Sequence, residues 1–277
     1  MLFKTVILVF LFIINNVAYG EIIETKNIAT IKKHIANTDT DALILLDIDD
    51  TVITHKANMF RAHSKYRNLI DDIRKERKNL HNYEEIYSNW RLQRKVMLVE
   101  NQWPSIIENA VTLDKKIYAL TQIDGGKFGN ISKVEDWRYQ ELMGLGISFN
   151  KLYNNKEELI FLEAGNQDLK NIGYNSPTIF YKGFFLTGAN SKADVVTKLI
   201  REKKPSKVVF IDDREDHVIN VSEACKKLDI RYVGIIFKGK ETIEGEVSDD
   251  LAIFQKSYLI KHATWLEDDE AQKMMSK

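Results

Sequence analysis

Runs of apolar residues along the chain predict buried strands, and the segments between these runs predict helices. The main apolar runs cover residues 43–46, 116–121, 207–211 and 231–237. They lack the alternation of a half-exposed strand, as is typical of strands that a parallel sheet buries on both faces. Because apolar residues recur at helical spacing between the runs, we expect an α/β fold with a doubly wound parallel sheet.

Two further segments add to this alternation. Residues from 53 to about 115 carry apolar stripes at helical spacing, which begin at Tyr66 and Tyr83. We therefore predict a helical insertion after the first strand. Its aromatic residues are expected to pack between helices; the alternative is a helical cap over an active site, with an aromatic residue touching the substrate. Residues 159–162 and 178–187 predict a small antiparallel excursion.

The first twenty residues have the pattern of a secretory signal peptide. Lys4 supplies the positive start, residues 6–14 are apolar, and Ala18-Tyr19-Gly20 fits a small-x-small cleavage site. The apolar core is about half the roughly 20 residues that a spanning helix needs. We therefore expect a cleaved signal peptide over 1–20, rather than a short membrane anchor, and an exported mature domain over 21–277 in the periplasm or outside the cell.

Composition narrows the class of protein further. Forty basic and forty acidic residues give a formal net charge of zero, so nothing global indicates a nucleic-acid or polybasic membrane partner. A hydrophobic content of 44% supports a sizeable core. The single cysteine, Cys225, lies in a helical pattern and excludes an intramolecular disulfide framework; we expect it to be a small buried residue.

Acidic residues follow the first apolar run directly. Asp47 and Asp49 lie at the carboxyl end of the predicted strand, which is where open α/β sheets bind their ligands. Two carboxylates this close repel each other, and a divalent cation removes that conflict. A calcium-binding EF-hand loop is the alternative, but it needs Gly and Glu at the positions where this chain has Val52 and Asn58.

Polar residues also mark the ends of the later strands. Thr121 ends the second run, Asp212 and Asp213 follow the third, and Lys192 begins a helix between them after the capping residue Ser191. In a parallel sheet these strand ends lie at one edge. The chain contains neither the Walker glycine loop nor a GxGxxG pattern, so neither kind of phosphate-binding glycine loop is predicted.

This set of residues resembles the four motifs of the haloacid dehalogenase (HAD) superfamily, in particular its exported bacterial acid-phosphatase-like branch. The stretch from Asp47 to Thr51 matches the first motif, DxDx followed by Thr or Val, at the end of an apolar strand. The segment Ile211-Asp212-Asp213-Arg214 is similar to the fourth motif of phosphatases and nucleotidases. The order of the motifs also separates the chain from receiver domains, whose acidic pair precedes the phosphorylated aspartate.

The resemblance implies distinct roles for the acidic residues. Asp47 would attack phosphorus and form an aspartyl-phosphate, while Asp49 would protonate the leaving oxygen and then activate water. Mg²⁺ would be held by the Asp47 carboxylate, the Asp49 backbone carbonyl and the Asp213 carboxylate, with Asp212 as its support. The oxygen-only ligand set suits Mg²⁺.

The resemblance also assigns the phosphate-binding residues. Thr121 would hydrogen-bond the phosphoryl oxygens, although a hydroxyl at a strand end can equally satisfy the backbone. Lys192 would offset the phosphoryl charge, with Lys182 and Lys198 as alternatives.

Together these expectations describe an exported, Mg²⁺-dependent phosphatase that hydrolyses a small phosphomonoester through an aspartyl-phosphate. Asp49 argues against a dehalogenase, which would lack this acid. The alternative is a catalytically silent HAD-like domain that binds a phosphorylated ligand or a protein partner.

Overall fold

The structure, a computed structural model, describes residues 20–149 and 159–277. The signal peptide predicted for residues 1–20 therefore lies outside the described residues, except for Gly20. The strands are β1 Gly20–Thr25, β2 Leu43–Leu46, β3 Ile53–His55, β4 Val96–Leu98, β5 Lys116–Thr121, β6 Leu159–Leu162, β7 Thr178–Tyr181, β8 Phe184–Leu186, β9 Lys207–Asp212 and β10 Arg231–Phe237. The helices are α1 Ile28–Ala36, α2 Leu69–Lys75, α3 Tyr83–Gln93, α4 Trp103–Thr112, α5 Val134–Met143, α6 Gln167–Asn171, α7 Lys192–Lys203, α8 Glu215–Lys227, α9 Asp249–His262 and α10 Asp268–Met275.

Eight of these strands form one central sheet, in the order β1-β10-β9-β2-β5-β8-β7-β6. In this spatial order, each of the first six strands, β1 to β8, is parallel to its neighbours among those six. Strand β7 then runs antiparallel to both β8 and β6. In the centre, Leu43 of β2 lies opposite Lys116 of β5 and Val208 of β9. The prediction of an α/β protein with a mostly parallel sheet is confirmed.

Each face of the sheet packs against its own set of helices. Alternate residues of β2 point to opposite sides: Ile44 and Leu46 pack with α1 and α4, whereas Leu43 and Leu45 pack with α7 and α8. All four side chains are at most 1% exposed. Burial on both faces explains why β2 reads as an unbroken apolar run.

The antiparallel excursion predicted for residues 159–162 and 178–187 is present, because β7 pairs antiparallel with both β6 and β8. The segment does form an antiparallel hairpin of β7 and β8, but β8 also pairs in parallel with β5 and so belongs to the main sheet. A two-residue turn at Lys182 and Gly183, both with positive φ, joins β7 to β8. Sequence analysis also missed β1, which pairs with β10 at the far edge.

Between β2 and β5 the chain forms two separate groups of elements. Helix α4 packs beneath the central sheet. Helices α2 and α3 pack instead against α9 and the segment that follows it, through residues such as Ile73, Trp90 and Leu259. A short antiparallel pair, β3 and β4, connects these groups. Within the described residues, no helix is long and apolar enough to span a membrane.

Candidate active site

Asp47, at the carboxyl end of β2, lies in a buried ion-pair cluster. The Lys192 Nζ atom is 2.5 Å from Asp47 Oδ1 and 2.6 Å from Asp212 Oδ2. The Thr51 hydroxyl donates to the second Asp47 oxygen at 3.3 Å. The Trp103 indole N–H in turn donates to the Thr51 carbonyl. Asp47 is therefore held in one orientation by residues from three separate parts of the chain.

The N-terminus of α7 places Lys192 in this cluster. Ser191 caps the helix in a capping box, because its hydroxyl accepts from the Asp194 N–H and the Asp194 carboxylate accepts from the Ser191 N–H. Lys192 is the first residue of the helix and is 3% exposed. The two alternative lysines lie elsewhere: Lys182 stacks over the Tyr139 ring and Lys198 pairs with Glu202.

Asp212 and Asp213, at the end of β9, have different surroundings. The Asp212 carboxylate is fully buried, pairs with Lys192, accepts from the Arg214 backbone N–H at 2.9 Å and lies 3.1 Å from His217 Nδ1. The Asp213 carboxylate has no hydrogen bond or ion pair within residues 20–149 and 159–277, and Asp213 lines the cavity beside Asp47. The adjacent aspartates thus differ: one is fully bonded and the other is free to accept a ligand.

Asp47, Asp212 and Asp213 form a group that fits a hard cation. Ligand oxygens of the three side chains lie within 4.8 Å of one another. Burial raises the pKa of Asp213 well above its usual value, and the charges of Asp47 and Asp212 raise it further. Burial also raises the pKa of Asp47, which Lys192 only partly offsets. A divalent cation would neutralise this excess negative charge, and carboxylate oxygens are the ligands that Mg²⁺ prefers.

Asp49, two residues after Asp47, lies in a separate basic cluster. Arg138 Nη2 from α5 lies 2.7 Å and 3.1 Å from the two Asp49 oxygens, and Arg94 lies 3.7 Å away. Both arginines also bind Glu141, at 2.6 to 3.0 Å. Burial alone would raise the pKa of Asp49, but Arg138 and Arg94 outweigh burial and hold this pKa well below its usual value. Asp49 is therefore a charged carboxylate in this arrangement.

Thr121 is also brought to the site. It lies at the end of β5, is 1% exposed, and lines the same cavity as Asp47 and Lys192. Its backbone carbonyl accepts from the Thr187 N–H at 3.0 Å, which ties β5 to the segment after β8. The parallel sheet thus gathers every predicted site residue except Asp212, which lies just behind, around one cavity.

This inner cavity has a volume of about 220 Å³ and opens beside a larger outer cleft of about 880 Å³. The strand ends form its floor. Side chains of α2 and α3, including Tyr87, Trp90 and Arg91, form another wall. The aromatic residues of α3 therefore pack between helices, as expected from the sequence, and Tyr87 and Trp90 also border the cavity.

Sequence reasoning missed Arg138 and His217. His217 follows Asp212 by five residues and lies in the first turn of α8, which begins just after the Asp-Asp pair. This spacing could have predicted the contact between His217 and Asp212. Arg138 lies 89 residues from Asp49, in a helix with no distinctive motif, so no local pattern could have revealed the pair.

The fold and site define a class: an α/β protein with a mostly parallel sheet and a carboxylate cluster at the carboxyl edge of that sheet. Residues 24–272 match the family described as "Protein of unknown function (DUF2608)", so the chain belongs to that family.

Curated relatives are found in two groups of bacteria. The chain is 29% identical over 264 residues to "Uncharacterized protein RP296" of Rickettsia prowazekii, covering 94% of this chain and 93% of that protein. It is 23% identical over 247 residues to a "Putative outer membrane protein" of Chlamydia muridarum, covering 86% and 85% of the two chains. A protein of the same name from Chlamydia trachomatis is 22% identical, with 94% and 92% covered. No solved structure matches the chain.

Proposed function

We propose that this protein is an Mg²⁺-dependent phosphatase of the HAD type that hydrolyses a small phosphomonoester. The observation that carries the proposal is the buried cluster in which Lys192 bridges Asp47 and Asp212 beside Asp213, whose carboxylate has no ion pair in the described part of the chain. The cluster combines a nucleophile, a cationic partner for phosphate and a cation-binding carboxylate. Phosphate monoesters are very slow to hydrolyse in water, so a site of this kind must supply strong electrostatic stabilisation.

Asp47 is the nucleophile in this proposal. Its carboxylate attacks phosphorus, the bond to the leaving oxygen breaks, and an aspartyl-phosphate forms. Lys192, which already contacts Asp47, offsets the charge of the phosphoryl oxygens, and Thr121 donates a hydrogen bond to them. Water then attacks phosphorus and releases phosphate, which restores the Asp47 carboxylate.

Mg²⁺ is the cofactor proposed for the acidic group. Asp47 and Asp213 would bind it directly with the Asp49 backbone carbonyl, and Asp212 would support them through its bonds to Lys192 and His217. When bound, the ion neutralises charge on the phosphoryl group and its nucleophile. Two observations support this assignment: the Asp213 carboxylate has no ion pair among the described residues, and burial with the charges of Asp47 and Asp212 raises its pKa. A bound cation would stabilise the charged form of this carboxylate.

Asp49 is the proposed acid and base. Its ion pair with Arg138 keeps it charged, which suits the base that activates water in the second step. To protonate a leaving oxygen, the carboxyl must turn away from Arg138 and take up a proton. We therefore expect substrates with good leaving groups, which need little protonation, to react fastest in the first step.

Helices α2 and α3 are proposed to act as a cap. They border the inner cavity while the strand ends form its floor, so a substrate held between them is shielded from water. The side chains of these helices would then determine which substrate binds, because specificity depends on the residues around a site and not on the fold itself.

The simplest test is release of phosphate from an aryl phosphate by the purified mature domain. We expect turnover with Mg²⁺, none in excess chelator, and recovery when Mg²⁺ is added back, with the circular dichroism spectrum unchanged throughout. Ca²⁺ should substitute poorly because its coordination is longer and less rigid. The alternative, a catalytically silent domain that binds a phosphorylated ligand or a protein partner, predicts saturable phosphate binding without turnover.

We also propose that the protein is exported to the periplasm or beyond. Lys4, the apolar residues 6–14 and the small-x-small site before Glu21 support this, as do the names of the chlamydial relatives. Strand β1 begins at Gly20, so processing there leaves nearly all of this strand in the mature chain. N-terminal sequencing of protein from a Gram-negative periplasm should read from Glu21; intact Met1 in the cytosol would contradict export and processing together.

A further inference from the structure

Arg91, on α3, is a buried guanidinium that lacks an acidic partner. It lines the inner cavity and is 6% exposed. Among the described residues, no Asp or Glu pairs with it, and its Nη1 atom has no hydrogen-bond partner. The neighbouring arginines of the site differ, since Arg94 and Arg138 both bind carboxylates. The N–H groups on Arg91 Nη1 are therefore donors that the described part of the chain leaves unused.

Aromatic rings hold Arg91 in place without satisfying those donors. Its guanidinium carbon lies 4.4 Å from the centroid of Tyr87, 5.0 Å from that of Phe128 and 5.7 Å from that of Trp137. Such contacts are made through the π faces of the rings, whereas the five guanidinium N–H groups donate within their own plane. The guanidinium is thus held in orientation, and the N–H groups on its Nη1 atom can donate to an oxyanion.

A second unused donor lies in the same wall of the cavity. The Nε1 atom of Trp90 is buried and has no hydrogen-bond partner within residues 20–149 and 159–277, and Trp90 also lines the inner cavity. An indole N–H can only donate. Arg138, which also lines the cavity, has a buried Nε atom with no hydrogen-bond partner among the described residues. Buried donors are rarely left unpaired in folded proteins, so three of them in residues beside one cavity indicate that an acceptor-rich group binds there.

The charge of the cavity favours an anion. Eight arginine and lysine side chains line it, against five aspartates. Burial lowers the pKa of Arg91, and the nearby positive charges of Arg74, Arg138 and Arg94 lower it further. A bound oxyanion relieves this repulsion. In the proposed mechanism the scissile phosphoryl group binds at Asp47 and Lys192, so an anion at Arg91 would be a second group.

We propose that the inner cavity binds a second oxyanion of the substrate through Arg91 and Trp90, so that the protein prefers phosphomonoesters that also carry another phosphate or a carboxylate. The scissile phosphoryl group binds at Asp47 and Lys192, while the second oxyanion is held at α3. This inference rests on the proposed phosphatase function of the same site and names the class of its substrate.

Matched pairs of substrates test the proposal. Fructose 1,6-bisphosphate is compared with fructose 6-phosphate, and 3-phosphoglycerate with glycerol 3-phosphate, using the mature domain with Mg²⁺. We expect kcat/KM to be at least about tenfold higher for the doubly anionic member of one pair, because a charged hydrogen bond is gained. The pair that shows the preference identifies the second group as phosphate or carboxylate.

Variants then assign the preference to α3. Arg91→Gln should bring the ratio of kcat/KM within that pair close to one, mainly by raising KM for the doubly anionic substrate. Arg91→Lys should keep part of the ratio, and Trp90→Phe should lower it less than Arg91→Gln. Arg201→Gln, the same change on the exposed side of α7, is the control and should keep the wild-type ratio. If Arg91→Gln does not fold, the substrate ratios of Arg91→Lys and Trp90→Phe test the proposal, which requires both ratios to fall below that of wild type.

Three outcomes overturn the proposal while leaving phosphatase activity intact: ratios near one in both wild-type pairs, ratios that persist in the variants, or equal losses for both members of a pair. If no monoester is hydrolysed at all, the phosphatase function fails instead. Calorimetric binding of fructose 1,6-bisphosphate and fructose 6-phosphate to wild type and Arg91→Gln then decides the inference, which requires tighter binding of the bisphosphate that depends on Arg91.

Discussion

Asp47 and Asp49 lie two residues apart in one loop, but the fold gives them opposite surroundings. Asp47 is grouped with two other aspartates and one lysine, so negative charge is in excess around it. Asp49 is held by Arg138 and Arg94, which also bind Glu141, so its negative charge is compensated there. Identical side chains can thus be prepared for different tasks by the elements that reach them. The first environment suits a cation and a nucleophile, and the second suits a carboxylate that stays charged.

The origin of the difference is the geometry of the loop. Asp47 still follows the direction of β2, and its backbone N–H bonds to the Ile211 carbonyl of β9. At Asp50 the backbone takes a positive φ of 63° and the chain turns back, with the Asp50 N–H bonded to the Ile53 carbonyl. Asp49 lies beyond the end of β2, and its carboxylate contacts Arg138 of α5. Side chains two residues apart, which would share one face of a strand, here reach different neighbours.

The largest expected effect is that of Asp47→Asn. It removes the attacking oxygen and a metal-binding charge, so both turnover and the phosphorylated enzyme should vanish. Phosphate release and mass spectrometry after an acid quench measure the two. Asp41→Asn, an exposed aspartate just before β2, is the matched control and should keep the wild-type rate. Residual turnover in Asp47→Asn, or a label mapped to another residue, would contradict its role as nucleophile.

Asp49→Asn should have the next largest effect. It leaves the nucleophile in place and removes proton transfer, a contribution of about 10²- to 10⁴-fold. With an aryl phosphate, the first step should survive in part because its leaving group needs little protonation. The aspartyl-phosphate on Asp47 should then accumulate and be detectable by the same acid quench. Turnover as fast as in wild type would contradict the role of Asp49 as the acid and base.

Arg138→Lys should weaken the contacts that hold Asp49 while keeping a positive charge at this position. A lysine cannot reproduce the two contacts to Asp49 and the contact to Glu141, so kcat/KM should fall by about tenfold. Since Arg138 lowers the pKa of Asp49, its loss lets Asp49 take up a proton at a higher pH. The acid limb of the pH–rate profile should therefore move to higher pH. Arg201→Lys, on the exposed side of α7, is the control and should leave the pH–rate profile unchanged. If the acid limb does not move in Arg138→Lys, the titration of Asp49 does not determine that limb.

The smallest effect is expected from Ser191→Ala. Loss of this cap should lower the free energy of unfolding by about 1 kcal/mol and slightly displace Lys192, which begins α7. Ser248 caps α9 in the same way, by accepting from the Leu251 N–H, so Ser248→Ala should cost similar stability. Only Ser191→Ala should also reduce activity. Equal activity in the two variants would show that the cap serves stability alone.

The strands at the centre of the sheet could be predicted from sequence because their signal is local. β2 and β5 have the bounds of their apolar runs, and β10 does as well. β8 could not be assigned in the same way, because it is three residues long and its parallel partner β5 lies more than 60 residues earlier in the chain. Its short sequence is equally compatible with a hairpin outside the main sheet.

The sequence by itself determined which side chains end the central strands, since a buried strand must be apolar and the first polar residue marks its end. That was enough to name Asp47, Thr121 and the Asp-Asp pair at the end of β9. Only the tertiary structure decided the partners of these residues: Lys192 reaches Asp47 across 145 residues of chain, and Arg138 reaches Asp49 across 89. Contacts of this kind depend on how helices pack on the sheet, and no local periodicity records that packing.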